Sequence, residues 1–275
     1  MRFRPVLSLS VAAMALSIGA TGHAGKEVKL VILKEHGVGS SAQAQPYVDK
    51  LVAIAAKKQG WSSAKGSYFT DRKAAETSID ADKPDFAILS LPAFLAMKDT
   101  RKLETIGQVA VANGGGQQYF LISKDASDLA GCKGKKLASD HADDPRFIDK
   151  VVSGGAFKLA DFTVEVTKRP IQTIKKVTNG EATCALIDDA QFAELAHVDG
   201  AAGVKQVWSS AKLPPMAVVA FATADKPTKD GFKAALSTLC DGDGKTVCKE
   251  IGLQSLKPAG DEAYAQILAA YKKDK

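Results

Sequence analysis

Short apolar runs alternate with amphipathic stretches along most of the chain. Val28–Leu33, Phe86–Ser90 and Cys184–Ile187 are apolar almost throughout, the pattern of strands covered on both faces. Trp61–Thr70, Gly134–Ala138, Phe162–Thr167 and Val204–Trp208 read as further short strands. Between them the period changes to that of helices. Tyr47, Leu51, Ile54 and Ala55 share one face of a helix that ends at Gly60, and Asp71 can cap a helix over Arg72–Ile79. Pro92 and Pro170 stand at helix starts, and Ile171, Ile174 and Val177 stripe the second of these as far as Gly180. After Thr223 the pattern is mostly helical, over Thr228–Leu239, a short helix after Lys245, and Asp261–Tyr271. Met97 and the phenylalanines fall at core spacing. Strands alternating with helices at these intervals predict βαβ units, hence an α/β fold with parallel pairing.

One stretch breaks the rhythm. Ile106–Lys124 holds two apolar runs, Val109–Ala112 and Tyr119–Ile122, around Asn113, Gly114, Gly115 and Gly116. Glycines here permit positive φ, so one reading is a hairpin turn. The other is a hinge through which the chain passes from one lobe to another. Lys212–Thr223, with Pro214 and Pro215 before an apolar run, would be the return. On that reading residues 25–112 and 216–275 form lobe 1, residues 125–210 form lobe 2, and residues 113–124 and 211–215 are hinge crossovers.

The N-terminus adds a location. Arg2 and Arg4, the apolar run Val6–Ile18 and the small residues before Gly25 make residues 1–24 a signal peptide cleaved near Ala24. The apolar run is too short to span a bilayer. A protein free in the periplasm follows, with no stable membrane insertion. Cleavage removes Arg2 and Arg4 and lowers the formal net charge from +6 to +4. The lysines are scattered without interleaved aromatics, so nucleic acid is not expected. Four cysteines in an oxidising compartment allow three full pairings. Cys240 and Cys248 flank a turn-rich run and close easily; Cys132, before one strand of lobe 2, and Cys184, at the start of another, are the second expected pair. Loop closure would contribute about 2.5 and about 4 kcal/mol respectively. Asp241-Gly242-Asp243-Gly244 has the start of a calcium loop, but Lys245 stands where an oxygen ligand is needed, so a turn is expected.

The order of elements, with the blocks Asp85–Phe94 (DFAILSLPAF) and Leu129–Ala138 (LAGCKGKKLA), resembles the solute-binding proteins of ABC transporters. Within them it is similar to the phosphate/phosphite/phosphonate-binding group. The resemblance implies a two-lobed type II periplasmic binding fold. Each lobe would be a mixed, mostly parallel sheet flanked by helices, with two hinge crossovers between lobes. It also implies a small-molecule solute in an interlobe cleft and a membrane permease as partner. The chain would act as a monomer and not as an enzyme; no Gly-x-Ser-x-Gly turn occurs and no cofactor is expected. The alternative is a sensory module presenting its liganded form to a membrane kinase or chemoreceptor.

One block departs from the resemblance. Phosphonate binders carry a Ser-Thr-Ser-Gly type run after the Gly-Lys strand, whereas this chain reads Ser139-Asp140-His141-Ala142-Asp143-Asp144. Either the acids serve as helix N-terminal charges or the solute is not a phosphonate dianion. Ligands of such folds meet the C-terminal ends of strands and helix N-termini. The candidates by position are His36, Ser40, Ser41, Tyr68, Thr70, Ser90, Gln118, Tyr119, Ser139, His141 and Asp188. Ser40 and Ser41 would serve equally as helix caps. His36 and His141, with Glu35, Asp143 and Asp144 nearby, could face a cation across the cleft. No His-x-x-His or compact ligand cluster accompanies them, so no metal is expected.

Overall fold

The computed structural model describes residues 27–36, 40–112 and 114–273. The signal-peptide expectation lies outside them. Eleven strands are present among these residues: β1 (Val28–Leu33), β2 (Ala64–Phe69), β3 (Phe86–Leu89), β4 (Glu104–Val111), β5 (Tyr119–Ser123), β6 (Lys136–Ser139), β7 (Thr163–Val166), β8 (Cys184–Asp188), β9 (Lys205–Ser209), β10 (Met216–Ala220) and β11 (Leu253–Pro258). They form a six-stranded sheet in the order β11-β4-β10-β3-β1-β2 and a five-stranded sheet in the order β7-β6-β8-β5-β9. The two apolar runs of the glycine-rich stretch therefore do not pair as a hairpin. β4 lies in the first sheet and β5 in the second, and the chain passes between sheets over the intervening glycines.

Both sheets are mixed and flanked by helices, but the balance is more even than mostly parallel. The βαβ strands β1, β2 and β3 pair in parallel, as do β6, β7 and β8. Strands that leave or return between sheets pair antiparallel: β10 with β3 and β4, β11 with β4, and β5 with β8 and β9. A strand that carries the chain out of a sheet has no βαβ crossover to orient it, and the antiparallel direction follows. The expectation that the chain is mostly helical after Thr223 fails at β11. That strand is an edge whose partner β4 lies far away in sequence, and its polar positions hide the alternation.

The helix Ser41–Gln59 shows how local signals and packing divide the work. Ser40 caps it in a capping box with Gln43, and Gly60, at φ 65°, closes it in the left-handed conformation. Its buried face is Val48, Leu51, Val52 and Ala55 rather than a stripe through Tyr47, which is exposed. The tertiary partners turned the helix by about one residue. The C-terminal helix Ala265–Lys272 packs against the turn at residues 148–152 near the second sheet, where Arg146 donates through Nε and a terminal nitrogen to the Tyr271 carbonyl at 2.9 and 2.6 Å. Cys132 is bonded to Cys184, with Cα atoms 5.9 Å apart, and Cys240 to Cys248, at 5.6 Å. Both pairings are those expected. No helix among the described residues is long and apolar enough to cross a membrane.

Candidate functional site

The loops after β1, β3, β6 and β8 meet between the sheets, at the C-terminal ends of parallel strands. They enclose two connected spaces. An open cleft of about 850 Å³ is walled by His36 and Thr70 on the side of the first sheet and by Asp140, Asp143, Thr167 and Gln191 on the other. Behind it lies a recess of about 40 Å³ bounded by Lys34, Glu35, Ser90, Tyr119, His141 and Asp188. His36 lines both. The structure thus brings together His36, Thr70, Ser90, Tyr119, His141 and Asp188 of the residues singled out from the sequence.

The others lie elsewhere. Ser40 serves as the helix cap and, with Tyr68, lines an apolar groove of about 450 Å³ on the first sheet. Ser41 is exposed at the start of the same helix. Gln118 donates its side-chain amide to the Ser210 carbonyl at 3.0 Å and braces the two crossovers against each other. Ser139 is fully buried; its hydroxyl donates to the Leu186 carbonyl at 2.8 Å and accepts from the His141 amide at 3.1 Å. Such a hydroxyl has nothing left for a solute.

Two groups of charges cross the cleft. Arg72 donates through Nε to Glu35 at 2.6 Å and through its terminal nitrogen to Glu35 at 3.2 Å and to Asp144 at 2.8 Å. Ser90 adds a hydroxyl to Glu35 at 2.7 Å. Burial works against the Arg72 charge, but the two carboxylates outweigh it and raise the guanidinium pKa. Asp144 also accepts from the Phe147 amide at 3.0 Å, so it caps its helix as well as pairing with Arg72.

The second group is less well satisfied. His36 approaches Asp143 at 3.4 Å and Asp140 at 3.9 Å, and its ring stands edge-on to that of His141, with centroids 4.6 Å apart. Burial disfavours the imidazolium, yet Asp143, Asp140 and Glu35 raise the His36 pKa above its ordinary value. For Asp143 burial opposes the charge, and the hydrogen bond from His36 brings the carboxyl below its usual range. Asp140 is buried. Its Oδ1 accepts from Thr173 and from the Gln191 side-chain amide, both at 2.9 Å, while its Oδ2 has no hydrogen-bond partner. An unsatisfied buried acceptor costs roughly 1–3 kcal/mol, more when charged.

Carboxylates dominate the rest of the wall. Burial, opposed by Asp188 and Asp189, lowers the Lys34 ammonium pKa. Burial raises Asp188, with His141 pulling the other way, and burial with Asp188 and Asp189 pushes the Tyr119 phenol well up. Gly115, at φ 72°, lets the backbone pass so close that a Cβ there would lie 2.2 Å from Asp188 Oδ2. Sequence reasoning missed Arg72, Thr173 and Gln191. Gln191 had a signal, since Asp188 and Gln191 are spaced as a capping box and form one. Arg72 and Thr173 had none, because their partners lie in distant segments.

Solved structures share this architecture. A binding protein component of an ABC phosphonate transporter from Pseudomonas aeruginosa is 16% identical over 89% of this chain and 85% of its own, with a TM-score of 0.65. A Prochlorococcus marinus protein in complex with methylphosphonate is 10% identical over 90% and 98%, at 0.66. The periplasmic aliphatic sulphonate binding protein of Escherichia coli is 13% identical over 90% and 86%, at 0.56. These likenesses establish the type II periplasmic binding fold. No curated protein sequence matches the chain. The profile of the phosphonate periplasmic substrate-binding proteins of ABC transporters matches residues 57–264, and the chain belongs to that family.

Proposed function

We propose that this chain is the capture component of an uptake system whose solute is cationic or carries a cationic group. The family accounts for capture in the periplasm and delivery to a permease. One observation carries the charge preference: of the helix starts that face the cleft from the second sheet, those after Asp144 and Asp188 are already capped by their own carboxylates, and only the one at Pro170 has no side-chain cap. Asp144 accepts from the Phe147 amide and Asp188 from the Gln191 amide, at 3.0 and 2.9 Å. A dianion would find these amides occupied and would sit against like charges, at a cost of several kcal/mol in a partly dry cleft. Glu35, Asp71, Asp140, Asp143, Asp188 and Glu194 line the two spaces, against the permanent cations Lys34, Lys168 and Arg169.

On this reading residues 25–112 with 216–264 close about the two crossovers against residues 125–210, on which the helix Ala265–Lys272 packs. The exported chain acts as a monomer by binding and release, without catalysis. Calorimetric titration of the mature protein tests the charge preference. Phosphate and methylphosphonate are expected to bind weakly, and 2-aminoethylphosphonate more tightly, with that gain lost in Asp143→Asn. Submicromolar affinity for phosphate or methylphosphonate overturns the reading.

A further inference from the structure

The partition between the open cleft and the inner recess is built from His36, Asp140 and His141. One ligand atom from each lies within 4.8 Å of the others. His36 follows β1 of the first sheet, whereas Asp140 and His141 follow β6 of the second, so the three donors face one another across the cleft. We propose that they form a site for a divalent transition-metal ion, such as Zn²⁺, Cu²⁺ or Ni²⁺, that joins the two lobes. The proposal rests on the reading of the cleft as a site for cationic solutes and names the ion as the solute.

Three features beyond the cluster itself point to a ligand. Asp140 is 3% exposed, and its Oδ2 has no hydrogen-bond partner while Oδ1 is held by Thr173 and Gln191. The carboxylate is therefore fixed in orientation with one oxygen left to offer. The Gln191 side chain also settles the His141 tautomer. Its Oε1 accepts from the Asp188 amide at 2.8 Å and its Nε2 donates to Asp140, so the oxygen is what meets His141 Nε2 at 3.0 Å. Nε2 must then carry a proton, so in the neutral ring it is Nδ1 that holds the lone pair a metal needs. Supporting contacts of this kind orient metal ligands and set their tautomers. Lastly, the recess of about 40 Å³ suits an ion or a water rather than an organic solute.

The chemistry selects among cations. Two imidazoles and a carboxylate suit zinc, copper or nickel, whereas calcium and magnesium prefer all-oxygen sets. Bonds of roughly 2.0–2.2 Å would put tetrahedral ligand atoms roughly 3.5 Å apart. Donors now within 4.8 Å must therefore draw together by about 1 Å, which further closure of the lobes supplies. Asp143, beside His36, and Asp188, 3.9 Å from His141, add negative charge around the ion.

The test is a titration of the untagged mature protein, stripped with EDTA, by Zn²⁺, Cu²⁺, Ni²⁺, Ca²⁺ and Mg²⁺ in turn. One transition-metal ion per chain is expected, with Cu²⁺ bound most tightly and Ca²⁺ and Mg²⁺ not competing. Asp140→Asn and His36→Ala should each weaken binding about tenfold or more, while Asp230→Asn, on an exposed helix outside the cleft, leaves it unchanged. His36 sits on a loop, so its substitution still reports if Asp140→Asn does not fold. Cu²⁺-loaded protein should show two-nitrogen hyperfine structure, reduced to one nitrogen in His36→Ala. No saturable binding of the transition metals overturns the proposal, as does binding unaltered by both substitutions or Ca²⁺ affinity equal to that of Zn²⁺. An amine-bearing solute that binds tightly while no metal does would sink this site and leave the cationic reading standing.

Discussion

The two charge groups that cross the cleft draw their acids from the same two loops, yet they end in opposite states. The Arg72 fork reaches Glu35 twice and Asp144 once, and Ser90 fills a further lone pair of Glu35. The His36 group makes contacts of 3.4 and 3.9 Å and leaves Asp140 Oδ2 without a partner. A planar, permanently charged fork holds both its carboxylates at hydrogen-bond distance, whereas the two nitrogens of His36 stand 3.4 and 3.9 Å from theirs and both donate only when the ring is protonated. The difference separates a structural latch, complete without any solute, from the group proposed above to be completed by one.

The largest effect should come from breaking the latch. Arg72→Met strands Glu35 and Asp144 as half-buried like charges, and the urea midpoint should report a loss of about 3 kcal/mol. A loss within about 0.5 kcal/mol would mean the fork is no better than an exposed pair, and the comparison would fail. Asp140→Asn should move stability the other way. It keeps the acceptor for Thr173 and Gln191 but removes a buried carboxylate oxygen that has no hydrogen-bond partner and stands 3.9 Å from His36, so solute-free protein should gain about 1–2 kcal/mol in the same measurement. Destabilisation there would show that Oδ2 is satisfied and the two groups alike. Ser90→Ala, which leaves Glu35 its arginine, should cost about 1 kcal/mol. Lys226→Ala, which breaks the exposed pair with Asp230, should leave the midpoint unchanged within error and sets the baseline for the other three.

Much of the architecture was legible locally. Buried strands such as β1, β3 and β8 announce themselves because parallel strands are apolar on both faces. Helix limits were legible where a capping residue or glycine marked them, as at Asp71 and Gly60. The glycine-rich stretch was readable as a break and, with the paired prolines as its return, as a passage from one lobe to another, though a hairpin has the same local pattern. β11 was hidden because an edge strand needs only one apolar face and its partner is distant. In the site, the loops after β1, β3, β6 and β8 could be named from their position, and six of the residues chosen within and around them meet. Ser139 and Gln118 could not be assigned in advance, because a hydroxyl or amide looks the same whether it braces a backbone carbonyl or waits for a solute.

What the sequence determined by itself was therefore most of the elements, the two disulfides and the acidic character of the segment after β6. All of these rest on composition and on interactions between near neighbours or among few candidates. Only the tertiary structure decided which acid does what. Asp144 is turned to Arg72 and its helix amide, Asp143 to His36, and Asp140 to Thr173 and Gln191 with one oxygen left over. Five residues of sequence hold three carboxylates with three fates, because each fate depends on a partner brought from dozens of positions away by the packing of two sheets.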